Sequence, residues 1–320
     1  MKLWTLILAL ALFSAAALAA ADDSAPALLA AGRADDAITT LHSKINAAPN
    51  DAESYNLLCR VYFSMGDWDR GISACEKAVA LDPGNSRYHM WLGRIYGEKA
   101  DAANFLSAAS LANKVRNEFE AAVRLDPNNV EARSDLGEFY LEAPGIVGGG
   151  RDKAEAQARE LAALDAAKAD YLKGRIAEKK KDFAAAEREY RAAIEASHGS
   201  ALTWFNLGLF FRHQQRWEDM EDAIHHAVSA QVDRPEIIME SGEVLLRSGR
   251  NLPAAVQYLR RYLALNSKVE EAPAFKAHYL LGTVLEKQGD KQGAAQEYRA
   301  ALSLARNFSR AQEALDRLNR

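Results

Sequence analysis

The sequence contains few features that indicate catalysis or a membrane-embedded fold. Only two of its 320 residues are cysteine, and beyond residue 21 no apolar run is long enough to cross a bilayer. It has no His-Glu-x-x-His motif, no Gly-Lys-Ser/Thr ending of a phosphate-binding loop and no Gly-x-Ser-x-Gly motif. We therefore expect a protein that is not an enzyme and that has no cofactor and no metal site.

An excess of positive charge is absent as well. The sequence has 40 Lys and Arg against 44 Asp and Glu, which gives a net charge of −4. Nucleic acids and anionic membranes attract basic surfaces, so this mildly acidic balance disfavours both as partners. We expect a protein or peptide partner and no nucleic acid.

The N-terminus resembles a secretory signal peptide. Met1-Lys2 precedes an apolar run from residue 3 to residue 13, and small residues follow as far as residue 21. This order predicts a signal peptide over residues 1–21, cleaved near Ala19 or Ala21. A retained anchor is the alternative, because residues 4–21 are close to the minimum length of a membrane span. We expect an exported protein, periplasmic or secreted, without an integral membrane segment after signal removal.

What the chain does have is a small residue that returns at a fixed spacing. Three of the steps between consecutive members are 34 residues long. The small residues are Cys59, Gly93, Gly137, Gly174, Gly208, Gly242 and Gly282. A period in this range is typical of a solenoid of stacked helix pairs, in which two antiparallel helices approach closely at the small residue.

The surroundings of each small residue have helical spacing. Tyr55 lies four residues before Cys59, Leu58 directly before it and Tyr62 three residues after it, so these side chains share one apolar stripe. The dipeptide at 66–67, Gly-Asp, ends this helix and caps the next one.

These units resemble the tetratricopeptide repeat (TPR), and the resemblance covers nearly the whole chain after residue 21. It implies an all-α, right-handed superhelical solenoid of about eight TPR-like helix hairpins with a C-terminal capping helix. A long coiled coil is disfavoured by the repeated glycines and by the Asp-Pro breaks. We expect units over residues 24–51, 52–85, 86–129, 130–166, 167–200, 201–234, 235–273 and 274–307, with the cap at 308–320.

Three units depart from the regular length: the third and the fourth contain insertions, and the seventh has a longer connection, 268–273, before the last unit. The step from Gly93 to Gly137 is 44 residues, which places about ten extra residues between the paired helices of the third unit, near 97–113. The fourth unit has a shorter insertion at 142–150. Because neighbouring units stack in parallel, we expect Phe105 and Leu106 to contact Ile146 and Val147 in one patch.

The resemblance also implies a partner-binding groove lined by the first helix of each unit. We expect residues three before and one after the small residue to be exposed there, although some could instead pack against the next repeat. The groove candidates are Arg60, Arg94, Tyr171, Arg175, Phe205, Leu209, Met239 and Tyr279. Exposed aromatics beside arginine are typical of peptide-binding surfaces. Replacing Arg175 by Ala should then leave folding nearly unchanged.

These features together predict a non-enzymatic scaffold or adaptor of the cell envelope that docks a peptide or a partner helix in the concave groove. A membrane-tethered envelope assembly factor is an alternative. A third hypothesis is a metal- or small-molecule-dependent protein that uses His213 with His225 or His226. Adjacent histidines point to different helix faces, and no carboxylate completes an obvious ligand set.

The two cysteines, Cys59 and Cys75, should face each other within one helix hairpin. We expect two buried thiols, because disulfide geometry is demanding. A disulfide is the alternative, which an oxidising exported compartment would permit.

Overall fold

A computed structural model describes residues 24–230, 234–265 and 268–318. The predicted signal peptide at 1–21 lies outside these residues. Over the described ranges the chain forms seventeen α-helices and one 3₁₀ turn, with no β-strand. None of the helices described there combines the length and the apolar character that a membrane span requires. The predicted all-α solenoid is confirmed.

The helices pair in sequence order into eight hairpins, and a single helix follows the last hairpin. They are α1 Ala25–Ala30, α2 Ala34–Ala47, α3 Ala52–Met65, α4 Trp68–Leu81, α5 Ser86–Asp101, α6 Phe105–Leu125, α7 Val130–Glu142, α8 Arg151–Leu161, α9 Ala166–Lys179, α10 Phe183–Ala196, α11 Ala201–His213, α12 Trp217–Ser229, α13 Glu236–Ser248, α14 Leu252–Ala264, α15 Ala274–Lys287, α16 Lys291–Leu304 and α17 Ser309–Leu318. From α3 onward, the odd-numbered helix of each hairpin carries the small residue.

Local sequence signals explain where the helices begin and end. Gly66 ends α3 with φ of +75°, a left-handed conformation that glycine adopts without steric cost. The Asp67 carboxylate accepts a hydrogen bond from the Arg70 N–H, 3.3 Å away, and so caps the start of α4. Asp51 caps α3 in the same way through the Ser54 N–H. The hairpins are therefore delimited by their own residues.

The repeated glycines allow the two helices of a hairpin to pack closely. A Cβ atom added to Gly93 would lie 2.5 Å from the Phe119 ring, and one added to Gly282 would lie 2.6 Å from the Tyr298 ring. Both rings are buried on the second helix of the same hairpin. A larger residue would therefore force a core ring to move, which explains why the slot is filled by a small residue.

In the second hairpin, a disulfide occupies this position. Cys59 and Cys75 are bonded, with their Cα atoms 5.2 Å apart, and both residues are fully buried. The sequence favoured two packed thiols over the disulfide, whereas the structure shows the bonded pair. It joins α3 to α4 at the point where the other hairpins have a glycine against a large side chain.

The insertion in the third unit is helical rather than a loop between the paired helices. The extra residues lengthen α5 to 16 residues and α6 to 21 residues, and only residues 102–104 separate the two helices. The insertion in the fourth unit contains the 3₁₀ turn Gly145–Val147. The expectation of about ten residues between the helices of the third unit is therefore wrong.

The apolar patch expected across these insertions is not formed as predicted. Phe105 is 84% exposed and Ile146 is 92% exposed, so these two side chains have almost no packing partners, while Val147 is buried. The side chain of Leu106 lies outside the described part of the structure. The two units are connected instead by Arg116 of α6, whose guanidinium donates a 3.0 Å hydrogen bond to the Val147 carbonyl.

The two ends of the solenoid contact each other. The Arg306 backbone N–H and guanidinium each donate a 3.0 Å hydrogen bond to the Asp35 carboxylate of α2. Gly32 lies so close to the last hairpin that an added Cβ would be 2.6 Å from the Ala274 nitrogen. Phe275 of α15 belongs to the same hydrophobic core as the N-terminal helices. The concave side is therefore closed by contact between the first and the last hairpins.

Candidate functional site

The closed concave side contains a cavity with a volume of about 900 Å³. Its walls come from α3 and α5 on one side and from α13 and α15 on the other. A smaller cavity of about 340 Å³ lies between α5 and α7 and shares Phe63, Arg94, Glu98 and Asp135 with the first. We refer to the two together as the inner cavity.

A regular set of positions lines the inner cavity. These residues lie two before, one after and five after the small residue of their helix, a spacing of three and four that gives one helical stripe. The residues are Trp91, Arg94 and Glu98 on α5, Asp135, Glu138 and Glu142 on α7, and Glu240, Glu243 and Arg247 on α13. The stripe is strongly charged, with both signs present.

Three of the eight groove candidates lie on the wall of the inner cavity: Arg60, Arg94 and Tyr279. Arg60 forms an ion pair with Glu270, which connects α3 to the segment before the last hairpin. The guanidinium carbon atoms of Arg60 and Arg94 lie 4.9 Å and 5.0 Å from the centroid of the Trp91 ring. Two cations therefore share one aromatic ring at the wall.

Arg94 is already neutralised by neighbouring carboxylates. Its Nε lies 2.6 Å from Asp135 and its terminal nitrogen 3.2 Å from Glu131, both on α7. Burial raises the pKa of the Asp135 carboxyl even though the Arg94 guanidinium opposes this shift. The pair thus lies in a poorly solvated place and links the first helices of two successive units.

Arg175 has a similar environment farther along the solenoid, outside the inner cavity. It donates hydrogen bonds of 2.9 Å to Glu138 and 2.8 Å to Glu142, and a longer one of 3.3 Å to the Tyr171 hydroxyl. Removing its guanidinium would leave the Glu138 carboxylate buried without this counter-charge. The expectation that Arg175→Ala leaves folding nearly unchanged is therefore contradicted by these contacts.

The apolar groove candidates are mostly part of the core. Phe205 and Met239 are buried, and Leu209 is partly buried against the same cluster. Phe205 and Met239 lie three residues before their glycines, and both belong to one hydrophobic core cluster. The alternative that these residues pack against the next repeat describes them correctly, and their expected exposure is wrong.

Sequence reasoning missed several residues that line the inner cavity, among them Trp91, Glu98, Glu240 and Lys276. A signal for Trp91, Glu98 and Glu240 was present. If the residue that follows the small residue faces the concave side, helical geometry places two more residues on that side. They lie three positions before and four positions after the residue that follows the small one. Lys276 lies at the start of α15, and no repeat position distinguishes it.

Glu240 has an unusual environment within this stripe. Burial raises the pKa of its carboxyl to about 7, and the neighbouring carboxylates Glu236 and Glu243 add to the shift. The ammonium of Lys276 and the guanidinium of Arg234 oppose it. Glu240 makes no hydrogen bond or direct ion pair with any other described residue. The inner cavity thus contains a carboxyl group, that of Glu240, which forms no direct ion pair with a described cation.

The histidines of the metal hypothesis have other neighbours. His213 Nδ1 lies 2.8 Å from the Glu178 carboxylate of the preceding unit, and the His226 ring stacks on Trp204 with centroids 4.4 Å apart. In the part of the chain that the structure describes, no three His, Cys, Asp or Glu residues are arranged to hold a metal ion.

Comparisons with known proteins identify the repeat. The tetratricopeptide repeat profiles match residues 28–95, 173–224 and 239–311. A thermophilic TPR protein of Thermus thermophilus is 20% identical, with a TM-score of 0.48 over 57% of this chain and 93% of its own. A TPR protein of Parabacteroides merdae is 14% identical, with a TM-score of 0.43 over 84% and 99%. YrrB, a TPR protein with an unusual peptide-binding site, is 18% identical, with a TM-score of 0.38 over 62% and 95%. The search of curated proteins gave no match.

The chain belongs to the tetratricopeptide repeat proteins. Its repeats suggest a protein–protein interaction scaffold and imply protein partners. Folds of this kind are typically not enzymes.

Proposed function

We propose that this protein is an exported scaffold of the cell envelope that docks a short peptide segment of a partner protein in the inner cavity. The observation that carries the proposal is the closure of the solenoid, which converts an open concave groove into a cavity of about 900 Å³. Sites for small-molecule ligands typically have volumes of about 300–1,000 Å³, so the cavity is at the upper end of that range.

The walls of the inner cavity have the composition of a recognition site. Aromatic side chains of α3, α5 and α15, among them Phe63, Trp91 and Tyr279, alternate with charged residues. Aromatic and arginine side chains contribute most of the binding energy in many interfaces, while the surrounding charges select the partner. Because hairpins at both ends of the chain form the walls, a bound segment would also hold the ends together.

Export is supported by two independent features. The first 21 residues have the order of a signal peptide, with a basic start, an apolar run and small residues before Ala19 and Ala21. The buried disulfide Cys59–Cys75 is a bond that persists mainly in oxidising compartments. Peptide docking and envelope location thus form one proposal with separate tests.

Site-specific photo-crosslinking in the producing cell tests the docking site. Tyr279 is replaced by p-benzoylphenylalanine, an aromatic of related shape, and crosslinked peptides are mapped by mass spectrometry. The matched control carries the same residue in place of Phe183, an aromatic on α10 that is exposed outside the inner cavity. We expect one partner segment to be captured from position 279 and not from position 183. Equal capture from both positions would place the interaction elsewhere.

N-terminal sequencing of the protein from fractionated cells tests export. We expect a mature chain beginning after Ala19 or Ala21 in the exported fraction. A chain that retains Met1 in a membrane fraction would instead support the tethered alternative.

A further inference from the structure

The charges around the inner cavity are not balanced. Nine carboxylates and six cationic side chains line its two parts. Two of the carboxylates, Glu138 and Glu142, are ion-paired with Arg175 from outside the lining, so seven carboxylates against six cations leave a small excess of negative charge. A concave, partly desolvated surface of one sign attracts the opposite charge more strongly than an open surface does.

Most of the cationic side chains of the lining already form ion pairs within the protein. Four of the six form ion pairs with carboxylates of the cavity lining: Arg60, Arg94, Arg247 and Lys276. The other two, Lys287 and Arg310, are exposed at the rim. The ion-paired cations are therefore poor candidates for binding an acidic partner, because a partner would first have to displace an internal carboxylate.

Four carboxylates of the lining make no hydrogen bond or direct ion pair with the described residues: Glu98, Asp101, Glu240 and Glu271. Two of them, Glu98 of α5 and Glu240 of α13, lie near Lys276. Burial raises the pKa of both carboxyls, and the ammonium of Lys276 opposes both shifts, so both lie within its electrostatic reach. Lys276 is at the same time 3.6 Å from Glu243. One ammonium thus faces three carboxylates. Arg310 also acts on Glu98 and Arg234 on Glu240 at longer range, but neither guanidinium forms a direct ion pair with these two carboxylates.

From this arrangement we infer that the inner cavity binds a basic segment of a partner protein, with a Lys or Arg side chain neutralised by Glu98 and Glu240. The inference rests on the proposed function and adds the chemical class of the segment. The apolar stem of such a side chain would pack against Tyr279, while its charged end meets the carboxylates.

Fluorescence anisotropy with labelled hexapeptides tests this inference. Hexalysine is compared with hexaglutamate and hexaserine on the full mature chain, at low and at moderate salt. We expect hexalysine alone to bind, more weakly as salt rises. Glu98→Gln combined with Glu240→Gln should weaken binding about tenfold, as expected for the loss of about 1.4 kcal/mol from two charge interactions.

The matched control is Glu195→Gln, which removes a carboxylate at an exposed position of α10 away from the inner cavity. It should bind hexalysine as the wild type does. Unchanged hexalysine binding by the double variant would overturn the inference, because the peptide would then bind elsewhere. If the double variant does not fold, Glu98→Gln alone changes an exposed side chain and should still weaken binding measurably.

Hydrogen–deuterium exchange distinguishes the binding of a basic segment from the more general proposal that a peptide docks in the inner cavity. Protection of α5 and α13 by hexaglutamate or hexaserine, without binding of hexalysine, would overturn the basic class and retain peptide docking. Failure of all three peptides to bind would overturn the basic class, and crosslinking from position 279 would then decide whether peptide docking itself stands.

Discussion

Replacing Glu240 by Gln should stabilise the protein at alkaline pH and have little effect in acid. In the unfolded chain this carboxyl has a pKa near 4.5, whereas burial in the folded protein raises the pKa to about 7. The folded state then binds more protons between these two values, so stability falls as pH rises from about 4.5 to about 7 and is constant above that. Gln resembles the protonated carboxyl in size and has no charge to desolvate.

The magnitude follows from the same difference in pKa. Each pH unit between the folded and unfolded pKa corresponds to about 1.36 kcal/mol. The Glu240 carboxylate therefore destabilises the folded state by about 3 kcal/mol at pH 8, and Glu240→Gln should recover that amount. At pH 5 the two proteins should differ by less than about 1 kcal/mol. Urea unfolding followed by circular dichroism at both pH values measures the difference.

Glu243→Gln is the control for this experiment, because it changes the same side-chain type one turn along α13. Glu243 is ion-paired with Arg247 at 2.6 Å and with Lys276 at 3.6 Å, so its loss should destabilise the protein by about 1–2 kcal/mol at pH 8. The reasoning is refuted if Glu240→Gln destabilises at pH 8 or has the same effect at both pH values. A carboxylate that weakens the free protein is also what a cation-binding site would require.

Three further predictions concern the packing of the solenoid, and urea midpoints measure each of them. Gly282→Ala should destabilise by about 1–3 kcal/mol because the new Cβ meets a buried tyrosine ring, whereas Gly97→Ala, with no neighbour within 4 Å, should stabilise its helix by up to about 1 kcal/mol. Equal effects would contradict the close-packing explanation. Arg175→Ala should cost about 3 kcal/mol by leaving Glu138 buried without its partner, against less than about 0.5 kcal/mol for the exposed, ion-paired Arg191→Ala. Reducing the disulfide, which spans 16 residues, should cost about 3 kcal/mol in the chain-entropy model, and an unchanged midpoint would refute it.

The repeat architecture could be predicted from sequence because its determinants are local. A small residue such as Gly93 or Gly208 opposite a large side chain, with apolar residues at helical spacing, defines a hairpin without reference to the rest of the chain. Caps such as Asp67 act within one turn. In a solenoid each unit packs mainly on its neighbours, so the sum of these local signals was sufficient for the fold class.

The candidate site was only partly predictable, because it depends on how successive hairpins are rotated. The residue after the small one faces the inner cavity, as Arg60 and Arg94 do. The residue three before the small one is buried in the core at Phe205 and Met239. Sequence spacing gives the angle of a side chain around its own helix but not the direction in which the next helix lies.

Sequence alone determined that this chain is a tandem array of helix hairpins, since helix boundaries and close contacts within a hairpin are set by residues less than about one repeat apart. Only the tertiary structure decided that the array closes on itself, through contacts such as Asp35 with Arg306 that join residues 271 positions apart. It also decided which charges are used internally and which, like Glu240, have no partner. The closure of the array and the pairing of these charges both depend on the summed rotations between eight successive hairpins. No local sequence pattern predicts that sum.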